Sequence, residues 1–395
     1  MKGLRKFLSP FSPDQSGASA VLFNYGGMLI IMDAGGCAGN VCGFDEPRWT
    51  ESNTAIFSAG LRDLDAILGR DELLIKKTKK ALESFNAKFV GLIGTPVPAV
   101  IATDYNALKK LMEKDYGIPV LAVETNGMRL YDEGAEAAYV ELFDRFAGEA
   151  EVAKAAGEAE PACGSGVACG RKGRIGVIGA IPLDTATRHS GIDMKEALKE
   201  KYPNDEIVVY GEGDSLDDVR AAGKARLNIV VSPAGIKAAK MLEERYGVPY
   251  EVFYPIKKEC SDAFAKKAAE AIKGADALKA AEAAKILVVH QQVLANGIRD
   301  ILENASPSAD VDVATWFMKS PEIERPDDVK LEEEDDILRL VTERGYDVVV
   351  GDPLIKRAVP GYKGKFLSLP HFAVSGSLHS SDDDEGFWAK AGDEI

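Results

Sequence analysis

The stretch most capable of chemistry is MLIIMDAGGCAGNVCG (28–43), where an apolar run leads into glycines that carry Cys37 and, five residues on, Cys42. Thiolate ligation of iron needs sulfurs on backbone that can wrap closely around a cluster. Gly35, Gly36, Gly39 and Gly43 permit that approach. One chain offers two sulfurs here, whereas a cubane cluster takes four. Either Cys163 and Cys169 complete the set, or a symmetric pair of chains brings the same two thiols twice. Four thiolates also suit zinc. The plain alternative makes Cys37 a small buried hydrophobe and Cys42 an incidental thiol.

The remaining candidates are less sharply patterned. Cys163 and Cys169 lie in AAGEAEPACGSGVACGRKG (155–173), as ligands of a second cluster or as an exposed pair able to oxidise reversibly. Cys260, at the start of a helix, reads as structural. His290 closes the apolar run KILVVH just before a helix, where α/β folds present ligand-binding groups, and Gln291 and Gln292 follow it. His290 is a candidate proton donor, with a hydrogen-bonded structural histidine as the alternative. His189 stands beside Arg188 in TATRHSG, suited to an anionic substrate or to a solvated loop. His371 and His379, in LPHFAVSGSLHSS, carry no assignable pattern, and the acidic run 381–386 reads as a solvated tail.

Positioning these groups falls to short β-branched runs that alternate with helical patterns, the signature of parallel sheets built from βαβ units. Candidate strands fall in three series: 28–33, 89–94 and 120–124; then 174–181, 206–214, 227–233 and 249–256; then 285–290, 311–317, 346–353 and 365–370. Helical stretches fall at 71–85, 104–117 and 133–155. The expected fold class is α/β, with three Rossmann-like domains and mainly parallel sheets. The domains are 1–154, 174–275 and 276–395, with 155–173 as a Gly/Ala-rich linker. A length of 395 residues accords with such a division. The 63 acidic against 48 basic residues, net −15, disfavour a nucleic-acid or anionic-membrane partner. No apolar window reaches the length of a membrane span, and the start MKGLRKFLSPF lacks an apolar signal core, so a cytoplasmic protein is expected. There is no GxxxxGK[ST] or G-x-G-x-x-G loop, no HExxH helix and no Ser-His-Asp spacing, which leaves ATPase and hydrolase readings without support.

Taken together, the segments resemble the nitrogenase component 1 superfamily. SGASAVLF (16–23) followed by DAGGCAG (33–39) is similar to the family's opening helix and cluster loop, and 64–82 resembles the segment around a characteristic glycine, here Gly69. FVGLIGTPVPAVIATDYNAL (89–108), IGVIGAIPLD (175–184) and 227–256 resemble further family segments in the same order.

The resemblance implies a three-domain subunit that pairs with an identical or paralogous one, a cluster at the pair's interface, and low-potential electrons from a separate ATP-dependent iron protein. It also implies a cavity between the domains for substrate, a further metal cofactor or a tetrapyrrole, with Gln291 and Gln292 facing that occupant. The family usually has three cluster cysteines per subunit. Only the middle one stands here, as Cys37; the others fall near Pro13 and Pro96, and the nitrogenase cofactor-anchoring cysteine falls near Ala239. The expectation is a single [4Fe–4S] cluster on the two-fold axis of a homodimer, held by Cys37 and Cys42 of each chain. The leading functional expectation is an anaerobic electron-transferring reductase component. The alternatives are a non-catalytic scaffold or carrier for a metallocluster, and a small-molecule binding protein with incidental cysteines.

Overall fold

The structure is a computed structural model and describes residues 5–49, 54–69, 71–148, 173–185, 187, 190–212, 215–276, 283–379 and 386–395. Cys163, Cys169, His189 and nearly all of the expected linker lie outside the described residues, as does most of the acidic run 381–386.

The chain forms three separate parallel sheets. The first has β1 (Met28–Ile31), β2 (Ala55–Ser58), β3 (Val90–Ile93) and β4 (Val120–Val123), in the order β2-β1-β3-β4. The second has β5 (Arg174–Ile178), β6 (Glu206–Val209), β7 (Leu227–Val230) and β8 (Tyr250–Val252), in the order β6-β5-β7-β8. The third has β9 (Lys285–Val289), β10 (Asp310–Thr315), β11 (Val329–Lys330), β12 (Val348–Gly351) and β13 (Lys365–Ser368), in the order β11-β10-β9-β12-β13. Central strands are uninterrupted apolar runs because both faces are covered: every residue of β1, β3 and β12 is buried.

Two strands escaped the sequence reading. β2 is a partly exposed edge strand and β11 spans two residues, so neither makes an apolar run long enough to stand out. The helix expected over 133–155 runs Tyr131–Phe146, and Ala147 turns into extended backbone.

In each sheet the chain leaves its first strand to one side and later returns to the other. The resulting switch points lie between β1 and β3, between β5 and β7, and between β9 and β12. Crevices at the carboxyl ends of strands open at such points. The helix Asp14–Leu22 packs so closely on Tyr131–Phe146 that a Cβ at Gly17 would lie 1.8 Å from the Tyr131 carbonyl oxygen, and one at Gly134 1.8 Å from that of Asp14. One apolar core joins Leu29 of the first sheet, Val230 of the second and Val349 of the third.

Candidate metal centre

At the first switch point the chain leaves β1 through Asp33 and turns at Gly35, whose φ of +124° favours glycine. It enters the short helix Gly36–Asn40, which bears Cys37, and then the π-turn Val41–Asp45, which bears Cys42. Polar bonds tie the loop down along its length. Asp33 Oδ2 accepts the Ala38 N–H at 2.8 Å and Oδ1 accepts the Ser58 hydroxyl at 2.5 Å. Asp45 collects the Ser12 and Ser16 hydroxyls and the Asn40 amide. Beyond it, buried Arg48 pairs with Glu46 at 2.7 Å and donates to the carbonyls of Ala20 and Gly211, joining the loop's far end to the second sheet's domain.

Cys37 and Cys42 are free and half-buried. Burial pushes the Cys37 thiol up, the Asp33 carboxylate adds to this, and a hydrogen bond with Thr95 at the end of β3 opposes it. Burial, Glu46 and Asp33, in that order, push up Cys42. A Cβ at Gly35, Gly36, Gly39 or Gly43 would meet nothing within 4 Å, so bare backbone faces open space around the thiols. This donor set and cradle fit half of a four-thiolate iron–sulfur site. Among the described residues no three His, Cys, Asp or Glu side chains converge as a metal-holding group.

The other two switch points meet at a buried junction. Tyr131, at the start of the helix Tyr131–Phe146, donates its hydroxyl to Asp184 after β5 and lies 3.0 Å from Nε2 of His371 after β13. The His371 ring stacks on that of His290 after β9. His290 Nδ1 accepts the Gln291 N–H at 2.8 Å, and its Nε2 lies 3.3 Å from the Pro370 carbonyl oxygen. Asp352, after β12, accepts the His371 N–H and the Ser375 hydroxyl, both at 2.8 Å. Burial pushes His290 down to about 3, against its hydrogen bond to the Pro370 carbonyl, and drives His371 well below its ordinary range. Burial raises Asp132 to about 6 and Asp184 well above its ordinary range.

The family model for "Nitrogenase component 1 type Oxidoreductase" matches residues 14–299. The chain belongs to this family. Members similar to it include the nitrogenase iron-molybdenum cofactor biosynthesis protein NifE of Nostoc sp., 27% identical over 51% of this chain and 38% of that protein. NifE of Klebsiella pneumoniae is 28% identical over 59% of this chain and 50% of that protein. The chain thus spans half or less of the length of these curated relatives. The solved structure of nitrogenase Cp1 at pH 6.5 superposes with a TM-score of 0.66 over 98% of this chain and 90% of that one, at 14% identity. That likeness shows the fold.

Within the family fold, the expected site residues separate into two groups. Gly36, Cys37, Gly39 and Cys42 come together on one loop. His290, Gln291 and Gln292 lie at the junction, and their amides are already engaged. Gln291 donates to the Val231 carbonyl at 2.9 Å and caps the helix Gln292–Ala305 by accepting the Val293 N–H. Gln292 clamps Ser320 through both its N–H and C=O. In this structure both amides are thus hydrogen-bonded within the chain. Cys260 is half-buried in the first turn of the helix Lys258–Asp276. Asp33, Thr95 and Asp184 lie within segments that sequence reading quoted, but none of them, nor Tyr131, was singled out. Their one signal is position at or just past a strand end, or at a helix start, which gains meaning only with the strand order. His371 was noticed but unassignable until the fold set it on His290.

Proposed function

We propose that the chain is a non-catalytic scaffold or carrier of the nitrogenase component 1 family that holds an iron–sulfur cluster between two copies of itself. The observation that carries this reading is the Cys37/Cys42 loop, with two free thiols on open glycine backbone at a switch point. Cys37 and Cys42 of each copy would supply the four thiolates, and Asp45, Arg48 and Asp33 hold the loop in shape. When bound, a [4Fe–4S] cluster supplies reversible one-electron storage. Support for a second copy as partner comes from Phe44 in the loop after β1, Val100 beyond β3 and Met128 beyond β4, apolar side chains exposed past the carboxyl ends of the strands by 73%, 83% and 84%. Support for a scaffold comes from the relatives named for cofactor biosynthesis and from a junction at which Tyr131, Asp184, His290, Gln291 and Gln292 are all hydrogen-bonded within the chain.

The family's description as oxidoreductase favours a second reading, a reductase component that takes electrons from an ATP-dependent iron protein, with His290 and, less directly, His189 as proton donors. Anaerobic purification followed by iron and sulfide counts tests the site. Incubation with an apo-acceptor protein, against turnover assays with an iron protein and ATP, separates the roles. Transfer of metal without turnover supports the scaffold, turnover supports the reductase, and a chain free of iron refutes both.

A further inference from the structure

We propose that Asp33 both positions the thiol-bearing turn and lowers the reduction potential of an iron–sulfur cluster bound at Cys37 and Cys42. The inference rests on the cluster reading above and concerns a residue outside the ligand set. Asp33 stands two residues past β1 and is 1% exposed. Its two side-chain oxygens are split between two elements: Oδ2 accepts from Ala38, the residue after Cys37, and Oδ1 from Ser58 at the end of β2. Its carbonyl oxygen also accepts the Leu61 N–H at 2.8 Å, so the residue is fixed from both directions.

Both side-chain donors are neutral, so neither hydrogen bond cancels the carboxylate's charge. Glu46, at the loop's far end, is by contrast bound in an ion pair to Arg48. The Asp33 carboxylate reaches the thiol-bearing helix directly, through the N–H of the residue that follows Cys37. A fixed negative charge in a weakly polarisable site opposes the arrival of an electron nearby. Local charge and hydrogen bonds to sulfur are two of the levers that set cluster potentials. The edge strand β2 thereby acquires a task, because Ser58 holds the carboxylate in place.

The test is a dithionite titration of the anaerobically reconstituted full chain, followed by EPR, in which one electron enters the cluster and no bond is made or broken. Asp33→Asn keeps a hydrogen-bonding group of the same shape and removes the charge. It is expected to retain the parent's iron and sulfide and to shift the midpoint upward by about 59 mV, a tenfold change in the reduced-to-oxidised ratio. Asp33→Ser also removes the charge while keeping an acceptor oxygen and is expected to shift the midpoint in the same direction; it decides the matter if Asp33→Asn does not fold. An Asp33→Asn protein with full iron at the parent's potential overturns the inference. So does one that melts like the parent yet takes up no iron, since the charge would then be needed for loading rather than tuning. A parent chain that takes up no iron sinks the cluster reading itself, a result distinct from either.

Discussion

The imidazole of His371 lies flat on that of His290, ring centroids 4.1 Å apart and planes within 14°, where the carboxyl ends of β9 and β13 approach Asp184 beyond β5. Both rings are fully buried, and such stacking is favourable only while at least one of them is neutral.

This pair predicts acid lability. His290 in the folded chain titrates near 3, below its ordinary 6.5. Between those values the unfolded chain takes up a proton that the folded chain refuses. Its contribution is whole above pH 6.5 and is lost as pH falls toward 3, at about 1.4 kcal/mol per pH unit. Asp132, raised to about 6, acts in the opposite direction over part of that range, so the measure is the difference between proteins. Urea denaturation at stepped pH is expected to show His290→Phe with a profile flatter than the parent's by about that slope. Parallel profiles would mean that His290 is not held neutral.

Arg48 is expected to be the most costly single charge to remove near the cysteine loop. Its guanidinium joins Glu46, Ala20 and Gly211, and Arg48→Ala strands a buried carboxylate. A loss of about 3–5 kcal/mol is expected. Arg48→Met combined with Glu46→Gln should recover part of it, as read from thermal melts.

Gly17 has no room for a methyl group, because the Tyr131 carbonyl occupies its place. Gly17→Ala must push apart two helices at their closest approach, at a cost of about 3 kcal/mol or more. Gly36→Ala meets nothing within 4 Å and is expected to melt within about 1 kcal/mol of the parent. Comparable losses for both would contradict the packing described for the two helices.

Iron removal is expected to change assembly rather than fold. If two chains share one cluster, chelation under reducing conditions should convert loaded dimer to monomer in sedimentation at low protein concentration. Cys37→Ala and Cys42→Ala should each sediment as the chelated parent does, with little change in melting temperature, since both thiols are only half-buried. A dimer that survives chelation in all three proteins would separate pairing from metal.

The sheets were legible because a strand covered on both faces must be a continuous apolar run, and MLII, VGLI and VVVG are such runs. The placement of Cys37 and Cys42 on one turn was legible for a local reason: an apolar run that ends in closely spaced glycines must leave the sheet there. The edge strands β2 and β11 were not, because half-exposed pairing leaves no such trace.

By itself the chain's order of residues determined the α/β class, the three series of strands and the placement of Cys37 and Cys42 on one glycine-rich turn. All of these depend on neighbours within about 15 residues. Tertiary structure alone decided that Asp33 reaches Ser58 across to β2, that Thr95 meets Cys37, and that Tyr131, Asp184, His290 and His371 close on one another from distant parts of the chain. Those contacts follow from which strand lies beside which. Parallel strand order is set by how the crossovers pack, and no local pattern of residues encodes it.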